Sequence, residues 1–126
     1  MKNRVYHRGD ILLVDLTPAV GSEQAGKRPV VVIQNNIGNK YSTTLIVAVL
    51  TTRTRKKLKQ PTHYLIRQNP ALTEPSLVLL EQIRTIDKRR IKAFLGKATE
   101  QEMQGIEAAL LRSLALNRNN EKKGDQ

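Results

Sequence analysis

Short apolar runs rich in β-branched residues, each cut off by proline, glycine or asparagine, recur along most of this chain and restrict it to a small, mainly β architecture. Asp10–Asp15 is the first run, and Pro18 follows it at a position where a residue without an amide hydrogen cannot continue a central ladder. Residues 19–27 hold two glycines and no periodicity, which predicts a loop longer than a tight turn. Residues 29–34, Pro-Val-Val-Val-Ile-Gln, have the composition of a strand buried on both faces, closed by the stretch from Asn35 to Asn39. Further strands are expected at 44–50, 62–67, 76–83 and, more weakly, 91–95, with Asn69-Pro70 and Glu74-Pro75 as breaks. Strands this short and this closely spaced fit a small, strongly curved sheet or barrel.

One helix is expected, near the C-terminus. Thr99 followed by Glu102 forms a capping box, in which each side chain satisfies an amide hydrogen that the first turn leaves unbonded. Met103, Ile106, Leu110 and Leu114 then recur at helical spacing and give one apolar face to lay on the sheet. At 126 residues the chain has room for one domain, placed at 1–116, with the polar residues 117–126 as a fraying tail.

Composition removes several chemistries. Without cysteine there is no disulfide, no thiolate nucleophile and no cysteine-based metal site. No apolar stretch has the length of a membrane span or signal peptide, which predicts a cytoplasmic protein with no membrane role. The formal net charge is +11, and residues 1–60 carry 11 Lys and Arg against 3 Asp and Glu. A field of this strength concentrates polyanions, so nucleic acid leads the partner classes, with an anionic membrane or an acidic peptide behind it.

Phosphate-loop, dinucleotide, zinc-protease and nucleophile-elbow motifs are all missing. The two histidines, His7 and His63, are far apart in sequence, and Asp10 and Asp15 have no ligand spacing, so neither a paired-imidazole nuclease nor a metal site is expected, and no cofactor is called for. Asp10 instead fits a turn before its strand. Arg28 stands between the glycine-containing loop and an apolar strand, where a guanidinium can offer paired donors to a phosphate and keep its charge at any working pH. The competing reading is an ordinary surface arginine. Thr51 and Thr52 end a strand, as phosphate-binding hydroxyls or as plain strand terminators. Two basic runs, Arg53, Arg55, Lys56, Lys57 and Lys59, then Lys88, Arg89, Arg90 and Lys92, are either polyanion contacts or solvated surface.

Together, Arg8-Gly9-Asp10, the stretch from Gly21 through Lys27-Arg28-Pro29 to Asn35, Gly38-Asn39, and Leu79-Leu80-Glu81-Gln82-Ile83-Arg84-Thr85-Ile86-Asp87 closely resemble the MazF/PemK family of toxin endoribonucleases. The resemblance runs over roughly residues 7–116, with the four motifs in the family's order. It implies a Src-homology-3-like curved sheet or barrel of the MazF/CcdB/PemK type with a C-terminal helix, paired as a homodimer. The implied function is that of a type II toxin: metal-independent, sequence-specific cleavage of single-stranded mRNA through ribose 2′-hydroxyl attack, leaving 2′,3′-cyclic phosphate and 5′-hydroxyl ends and stopping translation and growth. By position, Arg28 and Thr51 are the implied catalytic residues. Glu23 is the general base or a base-edge contact. Ser22, Gln24, Lys27, Thr52, Arg53, Arg55, Lys56, Lys57 and Arg84 fall among the implied RNA contacts, and Glu81 and Gln82 either read bases or tie the dimer together. The implied partner is an antitoxin with a flexible, often acidic tail, through which alone the toxin would meet DNA. Ala25, Lys27 and the basic connector depart from the family's pattern and bear on the recognition sequence more than on the chemistry. The alternative within the same barrel class is a toxin without nuclease activity that binds a protein such as DNA gyrase.

Overall fold

The computed structural model describes residues 4–54 and 60–116. Among these residues the elements run in the order β1 (Asp10–Asp15), β2 (Lys27–Val32), α1 (Asn36–Tyr41), β3 (Thr44–Thr51), β4 (His63–Ile66), β5 (Ser76–Asp87), β6 (Ile91–Lys97) and α2 (Glu100–Leu114), with one turn of 3-10 helix at Lys88–Arg90 between β5 and β6. The strands form one antiparallel sheet ordered β4-β5-β3-β2-β1-β6. The mainly β fold with a C-terminal helix read from the sequence is therefore present. The expected tail at 117–126 lies outside the described residues.

The sheet buries both faces, which is why its strands are nearly continuous in apolar residues rather than alternating. On one face Ile11, Val31, Ala48, Leu50, Val78 and Leu80 pack with Ile106 and Ala109 of α2. On the other, Leu12, Val14, Leu16, Val30, Val47, Val49 and Ile86 are fully buried although no helix of the described residues belongs to that cluster. Partly buried Tyr6, Ile91 and Phe94 join them, so the sheet closes this face by curling over itself. Each fully buried Leu, Ile or Val side chain contributes about 1.5–3 kcal/mol.

α2 begins as expected, with Thr99 accepting from the Glu102 amide at 3.0 Å and Glu102 accepting from the Thr99 amide at 2.8 Å. It ends at Ala115, which takes a left-handed conformation. Ile106 is buried, but Leu114 is half exposed, so the apolar stripe overruns the sheet it covers.

Boundaries differ from the sequence reading at several places, three of which have an identifiable cause. The stretch from Asn35 to Asn39 forms the start of α1 rather than a simple strand-closing turn, because the Asn35 side chain caps the amide of Gly38 at 2.8 Å. β2 starts at Lys27, two residues before Pro29, since Asp15 and Val14 pair with Lys27 and Arg28. β5 runs to Asp87, well past residue 83. Polar residues from Arg84 onward hid its second half, which pairs with β3 through Thr44↔Asp87.

Candidate functional site

The loop joining β1 to β2 is closed at its base by the Leu16 amide donating to the Gly26 carbonyl at 2.9 Å, with Gly26 at a positive φ of 78°. Three side chains from β5 and the 3-10 turn hold it down. Arg84 of β5 donates to the Leu16 carbonyl at 3.2 Å. Arg90 donates to the carbonyls of Asp15, at 3.1 Å, and Thr17. Gln82 uses both ends of its amide: Oε1 accepts from the Gln24 amide at 3.1 Å and Nε2 donates to the Ser22 carbonyl at 3.4 Å. Within the loop, Glu23 Oε1 accepts from the Val20 amide at 2.8 Å.

Gln82 reaches the loop because β5 is bulged. Leu79 pairs with Val49 and Ile83 with the very next β3 residue, Ala48, so Leu80, Glu81 and Gln82 have no β3 partner. The Leu80 backbone turns instead to the Thr62 carbonyl and the Ser113 hydroxyl. Between the bulge and the loop lies a groove of about 580 Å³ lined by Val20, Ser22, Glu23, Glu81, Gln82 and Arg84 among others. Five of the residues proposed from sequence thus meet on one surface. Removing the Gln82 amide with Gln82→Ala is expected to speed hydrogen exchange across residues 19–26 by at least tenfold, while the global unfolding free energy falls by no more than about 1 kcal/mol, as for a part-exposed hydrogen bond. Unchanged exchange would show that the remaining anchors suffice.

Glu81 turns the other way, toward β4. It accepts from the Thr62 hydroxyl at 3.1 Å and lies 2.8 Å from Nε2 of His63, whose side chain is only 2% exposed. Partial burial pushes the Glu81 carboxyl up, but hydrogen bonds from His63, from its own backbone and from Thr62, with the His63 charge, hold it below the ordinary value of 4.5. The folded protein therefore keeps Glu81 ionised where the unfolded chain begins to protonate. Stability from this contact is complete above pH 4.5 and is lost as the pH falls through the lowered folded value. Glu81→Gln is expected to shrink the loss of stability between neutral pH and pH 3 in urea titrations, and an unchanged slope would refute the assignment.

Arg28 and Thr51 do not line that groove. The β2–β3 ladder pairs Val30 with Val49, Val31 with Ala48 and Val32 with Val47, and Arg28 and Thr51 each lie two residues beyond the Val30–Val49 pair, on the same face of the sheet. Thr51 is buried, and its Oγ1 accepts from the Arg53 amide at 3.2 Å, leaving its hydroxyl hydrogen for another acceptor. Arg28 is half-buried. Its Nε donates to the Ala25 carbonyl at 2.9 Å, while its terminal nitrogens donate to no atom of the described residues. Among the described residues the guanidinium is thus anchored at one nitrogen and unbonded at two, an arrangement suited to paired donation to a phosphate.

Lys27 is exposed at the start of β2 opposite Asp15, and Thr52 and Arg53 are exposed just past Thr51. Arg55, Lys56 and Lys57 lie outside the described residues. The second basic run divides: Lys88 donates to the Asn39 carbonyl at 2.8 Å, Arg89 pairs with Asp87 at 3.0 Å, and Arg90 holds the loop, whereas Lys92 is exposed. The Arg89 hydrogen bonds lower the Asp87 carboxyl to about 2. Asp10 is more than a turn residue. It accepts from the His7 amide at 2.9 Å, as expected, but is also buried and paired with Lys97 at 2.7 Å. Sequence reasoning missed the anchoring role of Arg90 and the His63–Glu81 contact. Both depend on distant segments, and only the charge of Arg90 and the rarity of histidine marked them. Among the described residues no three His, Cys, Asp or Glu gather as metal ligands, and no helix is long and apolar enough to cross a membrane.

A profile of the PemK-like, MazF-like toxins of type II toxin–antitoxin systems matches residues 7–114. Among solved structures, an endoribonuclease bound to its cognate antitoxin, from a mycobacterial species, is 27% identical with a TM-score of 0.74 over 88% of this chain and 96% of its own. Another endoribonuclease from a mycobacterial species is 25% identical, with a TM-score of 0.74 over 90% of this chain and 95% of its own. MazF from Deinococcus radiodurans is 22% identical and shares the fold, with a TM-score of 0.77 over 90% of this chain and 99% of its own.

Proposed function

Because the chain belongs to the PemK-like, MazF-like toxin family of type II toxin–antitoxin systems, we propose that it is a sequence-specific endoribonuclease of the cytoplasm that cuts single-stranded mRNA without a metal ion. The observation that carries this reading is the Arg28 guanidinium, fixed through Nε to Ala25 with its terminal nitrogens bonded to none of the described residues, on the same sheet face as the buried Thr51, each two residues beyond the paired Val30 and Val49. The ribose 2′-oxygen attacks the adjacent phosphorus and loses its proton, the bond from phosphorus to the 5′-oxygen breaks, and that oxygen takes a proton. The ends are a 2′,3′-cyclic phosphate and a 5′-hydroxyl. Arg28 stabilises the charge gathered on the phosphorane oxygens, a role suited to a group too weakly acidic to give up its proton near neutrality. Thr51 donates its hydroxyl hydrogen to the scissile phosphate and sets the in-line geometry. Glu23, at the groove with Ser22 and Gln82, supplies a carboxylate for the 2′-hydroxyl or for a base edge.

Incubation with a long single-stranded RNA in EDTA, with the cut sites and end groups mapped, tests the reading. Cuts at one short motif with cyclic-phosphate ends, lost in Thr51→Ala, are expected. RNA left whole overturns it.

The working unit in this reading is a homodimer. Its support is an apolar groove of about 420 Å³ in which Ile33, Ile46 and Ile83 meet Leu110 and Leu114, where the α2 stripe overruns the sheet. Contiguous exposed apolar surface of this kind marks an interface. Leu114→Arg is expected to leave the monomer folded and shift light-scattering mass at micromolar concentration from dimer to monomer. A basic, groove-bearing toxin also fits an antitoxin whose acidic tail lies along the RNA path, and the 27% identical relative was solved with its antitoxin bound.

A further inference from the structure

A second cationic and aromatic surface lies at the β6 edge of the sheet. The chain has one Phe and three Tyr, and two of these four, Phe94 and Tyr6, line a groove of about 400 Å³ with Arg4, Ile91 and Lys92. The Arg4 guanidinium sits 4.2 Å from the centre of the Phe94 ring. Lys97 lies 5.8 Å from the same ring but is paired with Asp10. Arg4, by contrast, makes no hydrogen bond or ion pair to any described residue, so the ring orders its guanidinium while leaving the donors open.

Strand register places this groove two strands away from Arg28. Val14 pairs with Arg28 on one side and Ile91 on the other, and Leu12 pairs with Phe94. Val14, Leu12, Ile91 and Phe94 all belong to the apolar face on which the register sets Arg28 and Thr51. At about 4.8 Å per strand, the β6 groove begins about 10 Å from Arg28. We infer that it is a second subsite for single-stranded RNA, which holds nucleotides flanking the scissile one through the Arg4 and Lys92 charges and the Phe94 and Tyr6 rings. The inference rests on the RNA-cleaving reading above. Paired rings and cations suit a strand that presents both base faces and phosphates. An acidic peptide would call on the cations and leave the rings without a partner.

The test uses the full chain and 2′-O-methyl RNAs of five and nine nucleotides that share a central sequence. The wild type is expected to bind the longer RNA about tenfold more tightly. Arg4→Ala/Lys92→Ala should abolish that gain, bind the five-nucleotide RNA as before, and flatten the dependence of log Kd on log salt for the longer RNA by about 1.4, from two phosphate contacts at about 0.7 each. Phe94→Leu, which keeps the packing, should lose part of the gain with the slope unchanged. A length gain and salt slope unaltered in both variants would overturn the subsite, and so would a loss confined to acidic peptides with RNA binding intact. Because the methylated RNAs cannot be cleaved, a length gain beside uncut natural RNA sinks the nuclease reading and keeps the subsite.

Discussion

Arg28→Ala is expected to lower the RNA cleavage rate by about 10²- to 10³-fold, the loss seen when one fixed donor to a developing oxyanion is removed. The fold should survive it. Arg28 is only half-buried and its side chain's one hydrogen bond to the described residues goes to a loop carbonyl, so the change in unfolding free energy should stay within about 1 kcal/mol. Single-turnover rates under saturating RNA, with thermal melts beside them, separate the two effects. Arg28→Lys is informative as well. Lysine keeps the charge but has no Nε to hold against Ala25 while two further nitrogens face the phosphate, so it should recover only a minor part of the rate. Recovery to the wild-type rate would mean that charge alone suffices and that the anchored geometry does nothing.

Gly105→Ala should destabilise the protein, against what helix propensity alone predicts. In an isolated helix this change gains about 1 kcal/mol. Here a Cβ on Gly105 would come within 2.0 Å of Cε1 of Tyr64 and 2.5 Å of Cδ1, because α2 crosses β4 at this glycine. Tyr64 is only partly exposed. Its ring packs against the cluster beneath α2, and burial, together with the nearby Glu102, raises its hydroxyl pKa. Overpacking of this kind costs about 1–3 kcal/mol, or on the order of 4 °C in Tm per kcal/mol for a domain of this size. Replacing the ring should reverse the sign: in a Tyr64→Leu background Gly105→Ala is expected to raise Tm. A loss of equal size in both backgrounds would show that the helix is disturbed for some other reason.

These two residues also show how much could be read in the sequence. The place of Arg28, at the end of a glycine-containing loop and before Pro29, was visible as a local pattern, as were Thr51 at a strand end and the capping box of Thr99 and Glu102. Local patterns report on residues whose role is set by chain neighbours. Gly105 carries no such mark, since its requirement comes from Tyr64 some forty positions earlier. The same holds for Gln82. As part of the stretch from Leu79 to Asp87 it reads as a base contact or a dimer contact, yet in the structure its amide is bound to Ser22 and Gln24 of the β1–β2 loop. The polar second half of β5 was likewise hidden, because its pairing with β3 comes from tertiary register and not from an apolar alternation.

The bulge in β5 divides what this chain can change from what it cannot. Leu79 and Ile83 are four apart, a spacing that keeps side chains on one face of a regular strand. Here their partners Val49 and Ala48 are adjacent residues on opposite faces. The three unopposed residues therefore act as a phase shifter. Deleting one of them would shorten the bulge and draw Glu81 or Gln82 away from its contacts with His63 or with the β1–β2 loop. Substituting Glu81 or Gln82 leaves the count, and so the phase, intact. A lineage could thus rewrite this wall of the groove one side chain at a time, under the strict condition that the length of the segment never changes.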